Sequence, residues 1–303
     1  MRFGPELLTR IGSFASRLSA AREREDVARR RSLQGEGEEF AGHRPYRPGE
    51  DLRRLDWNLL ARLDRPFVRV HRAGASESWL VLIDSSASMA VGHPGKLQSA
   101  AEAAAAAMAL GLRLGARIEL RLALGGGTSA ALHLARRSDL GRAVQELERL
   151  DATEGGGLES LLDDASVASA LGTGSGRGAG RILLFGDFLD VDPRRVMALG
   201  QGRRHVHLGQ VFAPIEWNPA EGLGGIGAAS GGSARGTAAG ALWIDPESPS
   251  VPHPASTADL PSYLLRLEAF VESWSRLARD HRMTHAVWRS DEPFEDHLPA
   301  LLR

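Results

Sequence analysis

The chain has 303 residues, of which 43% are hydrophobic and 25% are charged, so it can bury one large core with a smaller attachment. Its formal net charge of −1 gives no long-range field that would gather nucleic acid or an anionic membrane, and neither is expected as a partner. The sequence contains no cysteine, which excludes disulfides, thiol nucleophiles and thiolate metal sites. Lys96 is its only lysine, which excludes every mechanism that needs a lysine elsewhere.

The N-terminal part is rich in charge and has no long apolar run. Met1 to Arg31 mixes arginine with glutamate and lacks the apolar segment of a secretory signal, so a cytoplasmic location is expected. Arginines between residues 22 and 31 are interleaved with acidic residues, which is typical of a solvated helix with internal ion pairs. The pattern then changes, and we predict an N-terminal segment at 1–75 and a main domain at 76–303.

From Trp79 onward, short apolar runs alternate with helical patterns, which indicates a parallel sheet. The continuous apolar run from Trp79 to Ile83 is typical of a central strand covered on both faces. Further strands are predicted at 117–124, 181–185, 205–212 and 284–288. Helices are predicted at 97–112, 138–150, 158–168, 193–199 and 260–277. The sequence therefore predicts an α/β fold with a doubly wound, mostly parallel sheet.

Three stretches of small residues are interpreted from their composition. Residues 172–180 and 221–240 contain too little apolar surface to pack, and we predict that they are surface loops, the second of them flexible. Residues 99–114 are alanine-rich but contain Glu102 and Arg113, so they are predicted to form a buried helix and not a membrane span.

Polar side chains follow two of the predicted strands. Asp84, Ser86 and Ser88 come directly after the first strand in a D-x-S-x-S spacing, and three hard oxygens facing one point suit Mg²⁺ or Mn²⁺. Asp187 follows the strand at 181–185 and would lie at the same sheet edge if the two strands are neighbours. A second interpretation is equally open, in which Asp84 and Ser86 only cap the following loop or helix.

Two segments resemble known families. The segment Asp84-Ser85-Ser86-Ala87-Ser88-Met89 resembles the metal-ion-dependent adhesion site of von Willebrand factor type A domains. The string R-x-Y-x-P-G-x-D-x-R-x-x-D-W, which ends at Trp57, is similar to the signature of the bacterial domain-of-unknown-function-58 family. Matching residues continue at 186–190, 243–247 and 290–294, so the resemblance covers nearly the whole chain.

The resemblance implies a von Willebrand factor type A-like, Rossmann-like fold with a smaller N-terminal extension. It also implies no established catalytic activity, and pairing with a MoxR-type AAA+ ATPase in the assembly or maturation of other proteins. By the same resemblance, Asp84, Ser86 and Ser88 would be metal ligands from the first loop, and Asp187 the carboxylate of the later loop. A carboxylate of the protein partner would complete the shell of the ion.

One ligand of the adhesion site is missing from this chain. The site usually takes a threonine from a G-G-T loop before a helix, but the matching stretch is Gly155-Gly156-Gly157-Leu158, which carries no hydroxyl. Thr153 lies too early in the loop to replace it. The sequence therefore predicts a partly degenerate adhesion site, in which Mg²⁺ or Mn²⁺ is bound more weakly or not at all.

These observations predict a protein that binds other proteins and is not an enzyme. The alternative is a Mg²⁺-dependent phosphotransferase of the haloacid-dehalogenase type, which also has an aspartate at the end of its first strand. That class needs a second aspartate two residues later, where this chain has Ser86, and a downstream lysine, for which Lys96 is the only candidate. In the N-terminal signature, the paired charges and Trp57 are interpreted as packing residues.

Overall fold

The computed structural model describes most of the chain and divides it into two compact units. The described residues are 3–32, 40–46, 55–63, 65–71, 77–123, 129–152, 157–164, 167, 180–201, 204–219, 242–243, 253–254 and 259–302. The smaller unit comprises Ala20–Glu77, and the larger one comprises Met1–Ser19 with Ser78–Arg303. Within the described part of the chain, no helix is both long enough and apolar enough to cross a membrane.

The smaller unit contains a two-stranded antiparallel sheet and a short helix. Its elements are the second part of helix α1 (Leu7–Ser32), strand β1 (Phe40–Pro45), helix α2 (Trp57–Leu63) and strand β2 (Phe67–His71). Asp56 caps helix α2, since its Oδ1 accepts a hydrogen bond from the Leu59 amide at 3.1 Å. Trp57 is 63% exposed, so the interpretation of this tryptophan as a packing residue is wrong. Trp57 is the first residue of this helix.

The larger unit is built on a six-stranded sheet, which confirms the predicted α/β fold. In chain order the strands are β3 (Ser78–Ile83), β4 (Arg117–Ala123), β5 (Ser129–Leu134), β6 (Arg181–Gly186), β7 (His205–Phe212) and β10 (Thr284–Arg289), and the strand order across the sheet is β10-β7-β6-β3-β4-β5. All neighbouring strands are parallel except β5, which runs antiparallel to β4 at the edge. Two short strands, β8 (Leu242–Trp243) and β9 (His253–Pro254), pair separately.

Helices cover the larger sheet in the doubly wound arrangement that the sequence predicts. They are α3 (Lys96–Arg113), α4 (Leu140–Glu148), α5 (Leu158–Asp163), α6 (Pro193–Leu199), α7 (Pro214–Trp217), α8 (Leu260–Asp280) and α9 (Phe294–Leu301). The alanine-rich helix α3 is almost entirely buried, and the ring of Trp79 fills the space that a side chain at Gly111 would need. The predicted loop at 221–240 lies outside the described residues, as does the loop at 172–180 except for Gly180.

The first 19 residues belong to the larger compact unit. The sequence analysis instead predicts a single N-terminal segment at 1–75. Leu7, Ile11 and Phe14 are buried and recur at helical spacing on one side of α1. The ring of Phe14 meets that of Phe294 edge-on at a centroid distance of 5.7 Å. The first half of α1 is therefore part of the larger core, and the two units meet again in the sequence between Glu77 and Ser78.

Candidate functional site

The candidate site lies at the carboxyl end of the central strands, where the strand order reverses. Strand β3 connects onward to β4 on one side, whereas its other neighbour, β6, connects onward to β7. The Asp84 amide donates to the Phe185 carbonyl at 2.8 Å, so the two strand ends are directly paired. In open α/β sheets, such a switch point is the usual place for a ligand site.

The structure brings the four predicted site residues together. The hydroxyls of Ser86 and Ser88 lie 3.0 Å apart, and Ser88 Oγ donates to Asp187 Oδ2 at 2.8 Å. Asp84 Oδ1 accepts from the Ser86 amide at 2.9 Å, so Asp84 does cap its own loop. Ser86, by contrast, makes no side-chain cap to the short 3₁₀ helix Ala87–Ala90. All four residues are buried.

Lys96 is the site residue that the sequence analysis did not place here. Its Nζ donates to Asp187 Oδ2 at 2.8 Å and to Glu216 Oε1 at 2.7 Å, and its side chain is fully buried. Glu216 is itself held in place, because its Oε2 accepts from the Ala213 amide at 2.6 Å. Two signals pointed to this residue: it is the only lysine in the chain, and it begins the helix that follows the serine loop.

Charge within the cluster is set by burial and by the single ammonium group. Burial acts to lower the pKa of Lys96, but attraction to Asp187 and Glu216 outweighs it and leaves that pKa above its usual value. Burial, with repulsion from Asp187, raises the pKa of Asp84 to about 7. Burial also raises the pKa of Glu216, while Lys96 opposes that rise. The lysine therefore stays protonated among three carboxyl groups.

Asp187 is fixed from behind by a chain of polar side chains. Its carbonyl accepts from Gln210 Nε2 at 2.8 Å, which turns the amide oxygen of Gln210 toward His285 Nε2 at 3.1 Å. His285 must then carry its proton on Nε2, and its Nδ1 accepts from Ser275 Oγ at 3.0 Å. This network holds the loop after β6 in one position.

The buried His285 should make the free energy of unfolding depend on pH. Burial lowers the pKa of His285 to about 4, with repulsion from Arg279 adding to this and Glu272 opposing it. The folded chain therefore binds fewer protons than the unfolded one, and the free energy of unfolding should fall as pH drops from about 6.5 toward 4. Urea denaturation at several pH values should show a smaller fall in His285→Gln.

His133→Gln is the matched control for this effect. The His133 side chain is 75% exposed, so its replacement should change the free energy of unfolding by no more than about 0.5 kcal/mol. An equal fall with acid in His285→Gln and in the parent chain would contradict the assignment of the neutral tautomer.

The residues around Asp187 do not fit a divalent metal ion in the arrangement observed. Asp187 Oδ2 already accepts from Ser88 Oγ and from the Lys96 ammonium, and an ion on the same oxygen would be repelled by that ammonium. Within the described part of the chain, no three histidine, aspartate or glutamate side chains converge in a way that could hold a metal ion. The prediction of bound Mg²⁺ or Mn²⁺ stays a prediction.

The loop that would supply the adhesion-site threonine does reach the cluster. A Cβ built on Gly157 would lie 3.8 Å from Ser86 Cβ, so this glycine faces the serine loop at ordinary contact distance. Thr153, Gly155 and Gly156 lie outside the described residues. For the phosphotransferase alternative, Lys96 meets the need for a lysine near the aspartates, but Ser86 still occupies the position of the second aspartate.

Curated relatives match a short stretch of the chain. Uncharacterized protein Rv1480 of Mycobacterium tuberculosis (strain ATCC 25618 / H37Rv) is 44% identical over 61 residues, which cover 20% of this chain and 19% of the relative. Uncharacterized protein Mb1516 of Mycobacterium bovis matches with the same values. The match thus spans about a fifth of the length of these relatives.

Solved structures match more of the chain at lower identity. Conserved hypothetical protein BatB from Bacteroides thetaiotaomicron is 13% identical with a TM-score of 0.40, and the match covers 71% of this chain and 91% of that one. An aerotolerance-related membrane protein from Bacteroides fragilis NCTC 9343 is 16% identical with a TM-score of 0.33, over 45% of this chain and 67% of that one.

A family model covers the part of the chain that contains the site. The model described as "Protein of unknown function DUF58" matches residues 42–223, which are more than half of the chain. This range includes the N-terminal signature, the serine loop, Lys96 and Asp187. The resemblance to the DUF58 family is thereby confirmed, and the chain belongs to that family.

Proposed function

We propose that the protein is a non-enzymatic interaction module that binds a protein partner at the carboxyl edge of its six-stranded sheet. The observation that carries this proposal is that exposed apolar side chains lie close in sequence to residues of the buried polar cluster. Leu189 is 47% exposed and Ile215 is 40% exposed, and we call these two residues the edge surface. Leu189 follows strand β6 and Ile215 follows the neighbouring strand β7, so both apolar side chains lie at the carboxyl edge of the sheet, where a protein partner could cover them.

Each residue of the edge surface is tied to the buried cluster. The Leu189 amide donates to Asp187 Oδ1 at 3.1 Å. Ile215 directly precedes Glu216, whose carboxylate binds Lys96. Both apolar side chains therefore stand on backbone that is fixed before a partner arrives, which lowers the entropic cost of binding.

The family resemblance favours a MoxR-type AAA+ ATPase as the partner. In this proposal the ATPase docks on the edge surface and acts together with the protein in the assembly or maturation of a client. In this proposal the interaction takes place in the cytoplasm.

The double variant Leu189→Asp with Ile215→Asp tests the edge surface. Two carboxylates in place of apolar contacts should weaken binding to a purified MoxR-type ATPase by roughly 10-fold or more, as for residues near the centre of an interface. Calorimetric titration measures the change. Leu114→Asp is the control. Leu114 is also 40% exposed, but it follows the C-terminal end of helix α3, whereas Lys96 and the cluster lie at the N-terminal end. Equal weakening by both variants would refute the assignment of the surface.

A phosphatase assay separates the proposal from the phosphotransferase alternative. We expect no Mg²⁺-dependent hydrolysis of p-nitrophenyl phosphate that depends on Asp84, because Ser86 cannot act as the second carboxylate. Hydrolysis that is lost in Asp84→Asn would instead support the enzyme.

A further inference from the structure

The ammonium of Lys96 lies where the serine loop, the loop after β6 and helix α7 meet. It donates to Asp187 Oδ2 at 2.8 Å and to Glu216 Oε1 at 2.7 Å, and these are the distances of strong charge-assisted hydrogen bonds. Asp187 Oδ2 also accepts from Ser88 Oγ, a predicted metal ligand. The ammonium therefore already occupies Asp187, one of the four predicted metal ligands, at the same oxygen that Ser88 contacts.

Helix stability does not explain the position of this lysine. Lys96 is the first residue of α3, and the N-terminal end of a helix carries partial positive charge, which disfavours a cation. Its side chain is fully buried, and a buried ammonium is costly unless it is paired. The two carboxylates stabilise the buried ammonium, so we assign Lys96 the role of neutralising the charge of this cluster.

The loop opposite the serines supports the same conclusion. Gly157 faces Ser86, with a built Cβ 3.8 Å from Ser86 Cβ, at the place where an adhesion site would present its threonine hydroxyl. A site that holds a metal ion gains from that hydroxyl, whereas a site whose cation is supplied by a side chain does not need it. The missing threonine and the buried lysine are thus both consistent with a site whose cation is a side chain and not a metal ion.

We propose that Lys96 is a built-in cation that replaces the divalent metal ion of an adhesion-type site, so that this edge of the sheet is assembled without Mg²⁺ or Mn²⁺. The inference deepens the proposed function, since it makes the protein-binding edge independent of metal. It also changes what the partner supplies. With the ammonium buried and saturated by the chain's own carboxylates, no partner carboxylate is needed to complete a metal shell.

Titration of Mg²⁺ and of Mn²⁺ into the EDTA-treated full chain tests this proposal. We expect no saturable heat with either ion, and the same thermal midpoint in EDTA as in excess Mg²⁺. An ion bound at a hundred times its dissociation constant would raise that midpoint by roughly 5 °C. Saturable binding to the wild-type chain that is lost in Asp84→Asn would overturn the proposal.

Lys96→Ser provides the second arm of the experiment. Removal of the ammonium leaves Asp187, Glu216 and the serine hydroxyls without a cation, so we expect this variant to gain a rise in thermal midpoint with Mg²⁺. A folded variant that is insensitive to Mg²⁺ and Mn²⁺ would show that Lys96 is an ordinary buried ion pair and would overturn the replacement. If Lys96→Ser does not fold, the wild-type titration still decides the question.

The free chain is the right material because MoxR-type ATPases themselves bind Mg²⁺ with ATP, so chelation in a partner assay would act on both proteins. The metal titration can therefore fail while the edge surface still binds the ATPase. Equally, loss of the proposed partnership would leave the titration result unchanged, so the two proposals are tested separately.

Discussion

Lys96→Met is expected to lower the free energy of unfolding by about 3–5 kcal/mol, as when one partner of a buried ion pair is removed. Methionine keeps most of the apolar stem of lysine but not the ammonium. Asp187, which is 1% exposed, and Glu216 would then be left without the charge that compensates them. Urea denaturation of the full chain at neutral pH measures the loss.

The matched control is Arg279→Met on helix α8. Arg279 pairs with Glu272 at 2.6 Å, a distance similar to that in the buried cluster, but both side chains are more than half exposed. Exposed pairs contribute roughly 0–1 kcal/mol, so this variant should be close to the parent chain. Equal losses in the two variants would mean that Lys96 has no special electrostatic role.

A double variant separates the charge effect from the loss of packing. In Lys96→Met with Asp187→Asn, one of the two uncompensated carboxylates is gone, so the combined loss should be smaller than the sum of the two single losses. Additive losses would indicate that the two side chains stabilise the fold independently.

Most of the sheet could be predicted because its central strands are buried on both faces. Such strands are continuous apolar runs in the sequence. The run from Trp79 to Ile83 matches strand β3 except for one residue, Ser78, at the start of the strand. Strand β5 was missed because Ser129–Leu134 is a short alanine-containing edge strand without such a run. Helix α9 was missed because its eight residues, with Pro299 inside, are too few to show a clear period.

The candidate site could be predicted in part for a topological reason. Residues that follow neighbouring parallel strands meet at one edge, so Asp84 and Asp187 could be placed together on the condition that their strands are neighbours, and β3 and β6 are. Lys96 could not be placed in the same way, since its side chain reaches back from the first turn of α3. Glu216 lies on a four-residue helix with no motif, and only the folded chain brings it to the ammonium.

Gly186→Ala is the second large effect expected, and it tests how closely the two strand ends approach. A Cβ at this position would lie 2.5 Å from Asp84 Cβ and 2.8 Å from Asp84 Oδ2. Asp84 cannot move away freely, because it is buried and its Oδ1 accepts from the Ser86 amide. We expect a loss of about 1–3 kcal/mol in the free energy of unfolding, as for other overpacked cores.

Gly12→Ala is the control for this substitution, and its expected sign is opposite. Gly12 lies inside helix α1, and apart from its chain neighbours and the nearby backbone of its own helix no atom lies within 4 Å of its Cβ position. Alanine there should stabilise the chain by up to about 1 kcal/mol, because it reduces the entropy that the helix loses on folding. Urea denaturation of both variants measures the difference. If the Gly186→Ala chain is as stable as its parent, the carboxylate of Asp84 is not held against β6. The conclusion that the cluster has a fixed geometry would then be wrong.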